Sequence, residues 1–177
     1  MGMLSRQILD LLQKQFQHET ANSLRYVARA SWAWYRGFEA VGKFFDGEAK
    51  GERHHAKAVR KYIEDRNEAV DPSGFAFSDT SEFGTFDVLF TSALVVEQTT
   101  TDMLSEIFKQ AMLLGDAMTV VWVQDLIREQ IEEENTYQTI IDRMIQRGGG
   151  GDQVSALANF NRDPSAEHDI DVWMGGA

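Results

Sequence analysis

The chain has 177 residues, enough for one domain with a substantial core, and its 43% hydrophobic and 25% charged content is that of a globular protein rather than a disordered one. It has no cysteine, which excludes disulfides, thiolate zinc sites, iron–sulfur clusters and cysteine nucleophiles. Seventeen Lys and Arg against 28 Asp and Glu give a formal net charge of −11, which disfavours nucleic acid and anionic membrane as partners and favours cations. No apolar run approaches the roughly 18 residues of a membrane span, and Met1 to Gln7 lack the plan of a secretory signal. The expected compartment is the cytoplasm, with an organelle reached through a removed transit peptide left open.

Only Pro72 and Pro164 interrupt the sequence, so long stretches are free of the residue that breaks helices. The first segment runs from Ser5, a plausible N-cap, to Tyr35, and Gly37 stops it. The second runs from Glu39 to Asn67, ahead of Asp71-Pro72-Ser73-Gly74. A polar stretch over residues 68–84 separates it from the third, Thr85 to Leu114, which ends at Gly115. The fourth starts near Asp116, a second plausible cap, and ends at the four glycines 148–151. A short fifth helix is expected over residues 152–160. The domain is expected to cover residues 1–163, and residues 164–177 to form a loose polar tail that contains Trp173.

Apolar residues recur at steps of three and four, the spacing of one helix face. The stripes are Ile8, Leu12, Gln15, Glu19, Ser23, Tyr26, Ala30 and Ala33 in the first segment, and Phe45, Ala49, Glu52, Ala56, Val59 and Ile63 in the second. In the third they are Phe86, Phe90, Ala93, Glu97, Thr100, Leu104, Ile107 and Ala111, and in the fourth Trp122, Leu126, Gln130, Glu133, Tyr137, Ile140 and Met144. Short connections make antiparallel hairpins of the first and second helices and of the third and fourth. The polar stretch between the second and third is long enough to travel the length of a bundle. The spacing therefore predicts an all-α fold, a four-helix bundle with one long crossover and a short fifth helix.

Each stripe holds one glutamate where an apolar side chain is called for: Glu19, Glu52, Glu97 and Glu133. Each is near its helix midpoint, so the four should meet at one level of the core. Unpaired, they would cost several kcal/mol apiece, against a net stability of roughly 5–15 kcal/mol. Protonation is possible but expensive, since it needs carboxyls raised by several pKa units, and no stripe holds a Lys or Arg to neutralise them, which leaves bound cations. Glu52-Arg53-His54-His55 adds a Glu-x-x-His spacing, with Glu52 and His55 on one face, as in di-iron carboxylate bundles. Four carboxylates and a neutral imidazole balance two divalent ions, and oxygen-rich ligation suits Fe²⁺ or Mn²⁺. His18, His54 and His168 read as solvated. Trp32, Trp34 and Tyr35 read as packing or a subunit contact, and Met103, Met112 and Met118 as core or interface filler.

Over residues 5–160 the chain resembles the ferritins. The matching pieces are Glu19 followed by Tyr26, Phe44-Phe45 leading into Glu52-x-x-His55, Glu97-Gln98, and Glu129-Gln130-x-Glu132-Glu133. The resemblance implies a ferritin-like bundle with a ferroxidase centre: Glu19 and His55 on one iron, Glu52 bridging, Glu97 and Glu133 on the other. Gln130 and Tyr26 would support these ligands, the tyrosine also as a one-electron donor. It further implies oxidation of Fe²⁺ by O₂ or H₂O₂, ferric mineral, and a homo-oligomeric cage of 24 subunits. Thr136 stands where bacterioferritins place a second motif histidine, and Arg53 where they place a haem-ligating methionine, so no haem is expected. Gly51 occupies the usual position of a third-iron glutamate, and Glu48 with Glu129 and Glu132 form a candidate substitute. A non-storing peroxidase of the same fold, rubrerythrin-like, is the alternative; a helical binding module without metal chemistry is a second.

Overall fold

The computed structural model describes residues 4–73 and 82–176. They form six helices: α1 Arg6–Tyr35, α2 Glu39–Asp65, α3 Phe86–Leu114, α4 Ala117–Arg147, α5 Gln153–Arg162 and α6 Ala166–Gly176. No strand occurs among the described residues, and no described helix is long and apolar enough to cross a membrane.

The helix ends follow from local chemistry. Ser5, Asp116 and Asp152 accept hydrogen bonds from the backbone N–H groups of Ile8, Thr119 and Ser155, which caps α1, α4 and α5. Gly37 and Gly115 take the left-handed conformation, φ +81° and +69°, that closes α1 and α3. Helix α2 stops at Asp65, two residues before the expected end, and Asn67 is left-handed at φ +61°.

Side-chain pairs fix the bundle's directions. Tyr26 near the end of α1 stacks on Phe45 near the start of α2, and Gln7 at the start of α1 meets Gln110 near the end of α3. Phe38 touches Phe86, so α2 and α3 begin at the same end and run parallel. Tyr62 stacks on Trp122 at 4.2 Å, which sets α4 antiparallel to α2. A crossover must therefore return along the bundle between α2 and α3. Its start lies along α1, where Gln13 donates to the Ala69 carbonyl and accepts from the Asp71 N–H, and its end buries Phe83 against Trp32. Residues 74–81 of that connection lie outside the described residues.

The interior is two apolar cores. One gathers Tyr26, Ala30, Phe45, Phe86, Phe90, Tyr137, Ile140 and Met144 with Leu157 and Phe160 of α5 and Ile170 of α6. The other gathers Ile8, Leu12, Val59, Ile63, Leu104, Ile107 and Val123. Gln15, Glu19, Asn22, Glu52, Glu97, Thr100 and Gln130 are buried polar residues in the middle turns of the same helices, between the two cores.

The expected loose tail is instead α6, and its ordering has a physical cause. Helices α2 and α3 have no side-chain N-cap of their own. Asp171 accepts from the Val41 N–H at 2.9 Å, and Glu167 accepts from the Phe86 N–H at 3.0 Å, so α6 supplies both missing caps while burying Ala166 and Ile170. Trp173 is only partly buried and lies under the Arg143 guanidinium. Arg147 bonds Asp163, Ser165 and Asp169, fixing the α5–α6 link to the end of α4.

Candidate metal centre

The carboxylates arise from four middle turns. Glu19, Glu52 and Glu97 are 2%, 4% and 1% exposed, which puts all three in the interior. Glu133 is less enclosed than expected, its side chain 28% exposed, and His55 is 16% exposed. Glu19, Glu52 and His55 each offer a ligand atom within 4.8 Å of the other two. His55 Nδ1 lies 3.9 Å from Glu52 Oε2, and its Nε2 lies 3.7 Å from Glu133 Oε1 and 3.5 Å from Glu129 Oε2.

Supporting side chains orient this set. Gln15 donates from Nε2 to Glu19 Oε1 at 2.6 Å. Gln130 donates to Glu97 Oε2 at 2.6 Å, and the Tyr26 hydroxyl donates to Glu97 Oε1. Gln15 is not part of the motif, and the signal for its tie to Glu19 is a glutamine on the apolar stripe one turn earlier. The remaining valences are what matter: Glu19 Oε2 and Glu52 Oε2 are buried without any hydrogen-bond donor. Buried carboxylate oxygens without a donor are expensive, and a divalent cation would satisfy both charge and coordination.

Electrostatics agree with that need. Burial, and then the nearby Glu19 carboxyl, hold Glu52 well above the usual carboxylate range. Burial and the charge of Glu133 push Glu97 up to about 9, against the opposing pull of the Gln130 hydrogen bond. Burial raises Glu133 as well, with His55 working in the other direction. A cation restores the charged forms by supplying the missing opposite charge.

Glu48, Glu129 and Glu132 line one pocket with His55, Glu133 and Thr136 at the edge of this layer. Glu48 accepts from the Tyr137 hydroxyl at 2.7 Å, and burial raises its carboxyl. Tyr137 was legible only as a core residue of the fourth stripe; its tie to Glu48 depends on side-chain placement that spacing does not carry.

One other expectation changes. His18 is partly buried and bonds Thr100 Oγ1 at 2.9 Å, so it is not a solvated residue, and burial lowers its basicity; His54 and His168 are exposed. Trp32 is buried packing, whereas Tyr35 is 93% exposed. Met112 and Met118 are exposed and fill no core within the subunit.

Comparison with known proteins follows the same lines. A family model described as the ferritin-like domain matches residues 9–147. The bacterial non-heme ferritin of Staphylococcus haemolyticus is 31% identical over 164 residues, covering 93% of this chain and 96% of the relative. That of Staphylococcus aureus is 30% identical over 172 residues with the same coverage of each chain, and that of Escherichia coli O157:H7 is 28% identical over 150 residues, covering 85% and 90%. A bundle of four long helices with a carboxylate layer at its waist, matched by a family model over most of its length, makes this chain a member of the ferritin-like domain family.

Proposed function

We propose that the chain is a subunit of an iron-storage ferritin that oxidises Fe²⁺ to Fe³⁺ with O₂, or with peroxide, and passes the ferric product to a mineral enclosed by a homo-oligomeric cage. Iron is here the substrate. Glu19 and His55 hold one iron, Glu52 bridges, and Glu97 and Glu133 hold the second. The observation that carries this reading is the pair of donorless, buried carboxylate oxygens on Glu19 and Glu52, beside His55, between two apolar cores.

The residues' parts follow from their chemistry. Carboxylates bind Fe³⁺ more tightly than Fe²⁺ and so draw the couple toward oxidation. Gln15, Gln130 and Tyr26 fix the orientation of Glu19 and Glu97, so the ligands need little reorganisation when metal arrives. Two irons side by side let O₂ take electrons in pairs, without release of superoxide. Glu48, Glu129 and Glu132 form a third cation site at the mouth of the pair, through which iron enters or leaves. A lone bundle cannot confine a mineral, so storage needs a closed shell of subunits, 24 in the ferritin pattern; the net charge of −11 draws cations to it.

The test is aerobic addition of Fe²⁺ to metal-free protein, followed by near-ultraviolet absorbance and by sizing. Fast ferric absorbance in the wild type, its loss in Glu52→Ala, and elution as a cage of about 24 subunits are expected. No catalysed rise sinks the ferroxidase reading; catalysis by a dimer favours the non-storing peroxidase.

A further inference from the structure

Two tyrosines, each tied to a carboxylate, stand side by side at the waist. Tyr137 is wholly buried, and its ring lies against that of Tyr26 with centroids 6.3 Å apart and planes within 11°. Its hydroxyl donates to Glu48 Oε2 at 2.7 Å, as the Tyr26 hydroxyl donates to Glu97. Glu48 lines the pocket that also holds His55 and Glu133. Phe45 packs against both rings, at 5.9 Å and 6.5 Å, and closes the cluster from α2. A phenylalanine at 137 would fill this space without needing an acceptor, whereas a buried hydroxyl must be given one.

A phenol gives up an electron readily when its proton can leave at the same moment, because the protonated radical cation is a strong acid. Both hydroxyls already point their protons at carboxylates. We propose that Tyr137 is a second phenolic electron donor to oxygen reduction at this site, acting beside Tyr26; this rests on the ferroxidase reading. The Tyr137 O–H bond breaks, the proton passes to Glu48, the electron passes to the oxygen undergoing reduction, and a neutral tyrosyl radical remains. Tyr26 reacts likewise, with Glu97 taking its proton. Glu48 and Glu97 pass these protons on to the reduced oxygen, so that one O₂, two Fe²⁺, two phenols and two further solvent protons give two Fe³⁺, two tyrosyl radicals and two water molecules. Without the phenols, two Fe²⁺ take one O₂ only to H₂O₂.

The experiment loads the metal-free full chain with two Fe²⁺ per subunit, mixes it with O₂, and reads freeze-quench electron paramagnetic resonance and released peroxide. It compares wild type, Tyr26→Phe, Tyr137→Phe and the double variant. Tyr26→Phe is expected to retain an organic radical that the double variant lacks. The double variant is expected to release about one H₂O₂ per two Fe²⁺, with little from wild type. Binding of redox-inert Zn²⁺ to Tyr137→Phe, measured by calorimetry, is expected to match wild type, which separates electron donation from a role in holding Glu48. Absence of any radical in Tyr26→Phe, or equal peroxide from wild type and double variant, overturns the proposal, as does a ~tenfold weaker Zn²⁺ affinity in Tyr137→Phe. If the wild type itself consumes no O₂ with Fe²⁺, it is the ferroxidase reading that has failed.

Discussion

Glu97→Gln should stabilise the metal-free protein at neutral pH although it deletes a candidate ligand. Glu97 is 1% exposed. Burial and the Glu133 charge raise its carboxyl from the usual 4.5 to about 9 in the folded chain. A raised value means that the group's contribution to stability is complete below about 4.5 and is lost as pH climbs toward about 9. At pH 7 the folded carboxyl keeps a proton that the unfolded chain has released, a penalty of roughly 3 kcal/mol relative to acid. Glutamine preserves the shape. Its carbonyl accepts from Tyr26, and its amide can donate to a Gln130 turned to present its own carbonyl. Urea unfolding of both proteins in chelator, from about pH 5 to pH 8, should show Glu97→Gln gaining on wild type as pH rises, by roughly 3 kcal/mol at pH 7. Saturating divalent metal should reverse the order, because metal stabilises only the protein that binds it well. A difference that does not change with pH, or a variant weaker than wild type throughout, would refute the placement of Glu97 as a carboxyl starved of countercharge.

Arg66→Met should cost about 3 kcal/mol or more in chemical denaturation, since it leaves Asp116, which accepts from the Thr119 hydroxyl, without its 2.9 Å guanidinium partner. Asp116 is held below its usual 3.8, against burial, by the Arg66 hydrogen bond, so the stability it lends is present above 3.8 and lost as pH falls below it; the variant should be less acid-sensitive there. Gly148→Ala should destabilise by about 1–3 kcal/mol in thermal unfolding, because its Cβ would stand 2.0 Å from the Ala156 carbonyl oxygen and force α5 away. Asp171→Ala removes the cap on Val41 and should make α6 the first site of limited proteolysis, with a loss of about 1 kcal/mol.

The long helices were legible because their periodicity is uninterrupted and their ends carry local signals such as Ser5, Gly37, Gly115 and Asp116. The carboxylate layer was legible for the same reason: an acidic residue on an apolar stripe contradicts the pattern that places it. What escaped depends on partners far away in sequence. Helix α6 has only a short apolar stripe, and its order comes from Asp171 and Glu167 finding helix ends over a hundred residues and about eighty residues away. Arg29 and Arg66 sit on no predicted stripe, yet both are buried, one against Ser92 and the rings of Tyr26 and Phe83, the other in the Tyr62, Asp116 and Thr119 network. Glu133 lies nearer the surface than its stripe implies, because stripe position gives direction, not depth; its side chain lines the acidic pocket.

Carboxyls crowded into an interior that opposes their ionisation would ordinarily weaken a bundle, and the distribution of contacts explains why this one can hold them. Each end of the bundle closes independently of the waist. At one end, Arg66, Tyr62, Asp116 and Thr119 tie the close of α2 to the start of α4 beside the core of Ile8, Leu12, Ile63 and Leu104. At the other, α5 and α6 cover the aromatic core and cap α2 and α3. The free energy of these ends holds the carboxyls in an interior that opposes their ionisation, an arrangement that a bound cation would favour. On the proposed reading that cost is offset when a cation binds, so affinity for divalent cations and the instability of the metal-free waist are two readings of the same quantity. It follows that a substitution relieving that cost strengthens the empty bundle and weakens metal binding together, whereas one at either end weakens the bundle without changing which ions the waist prefers.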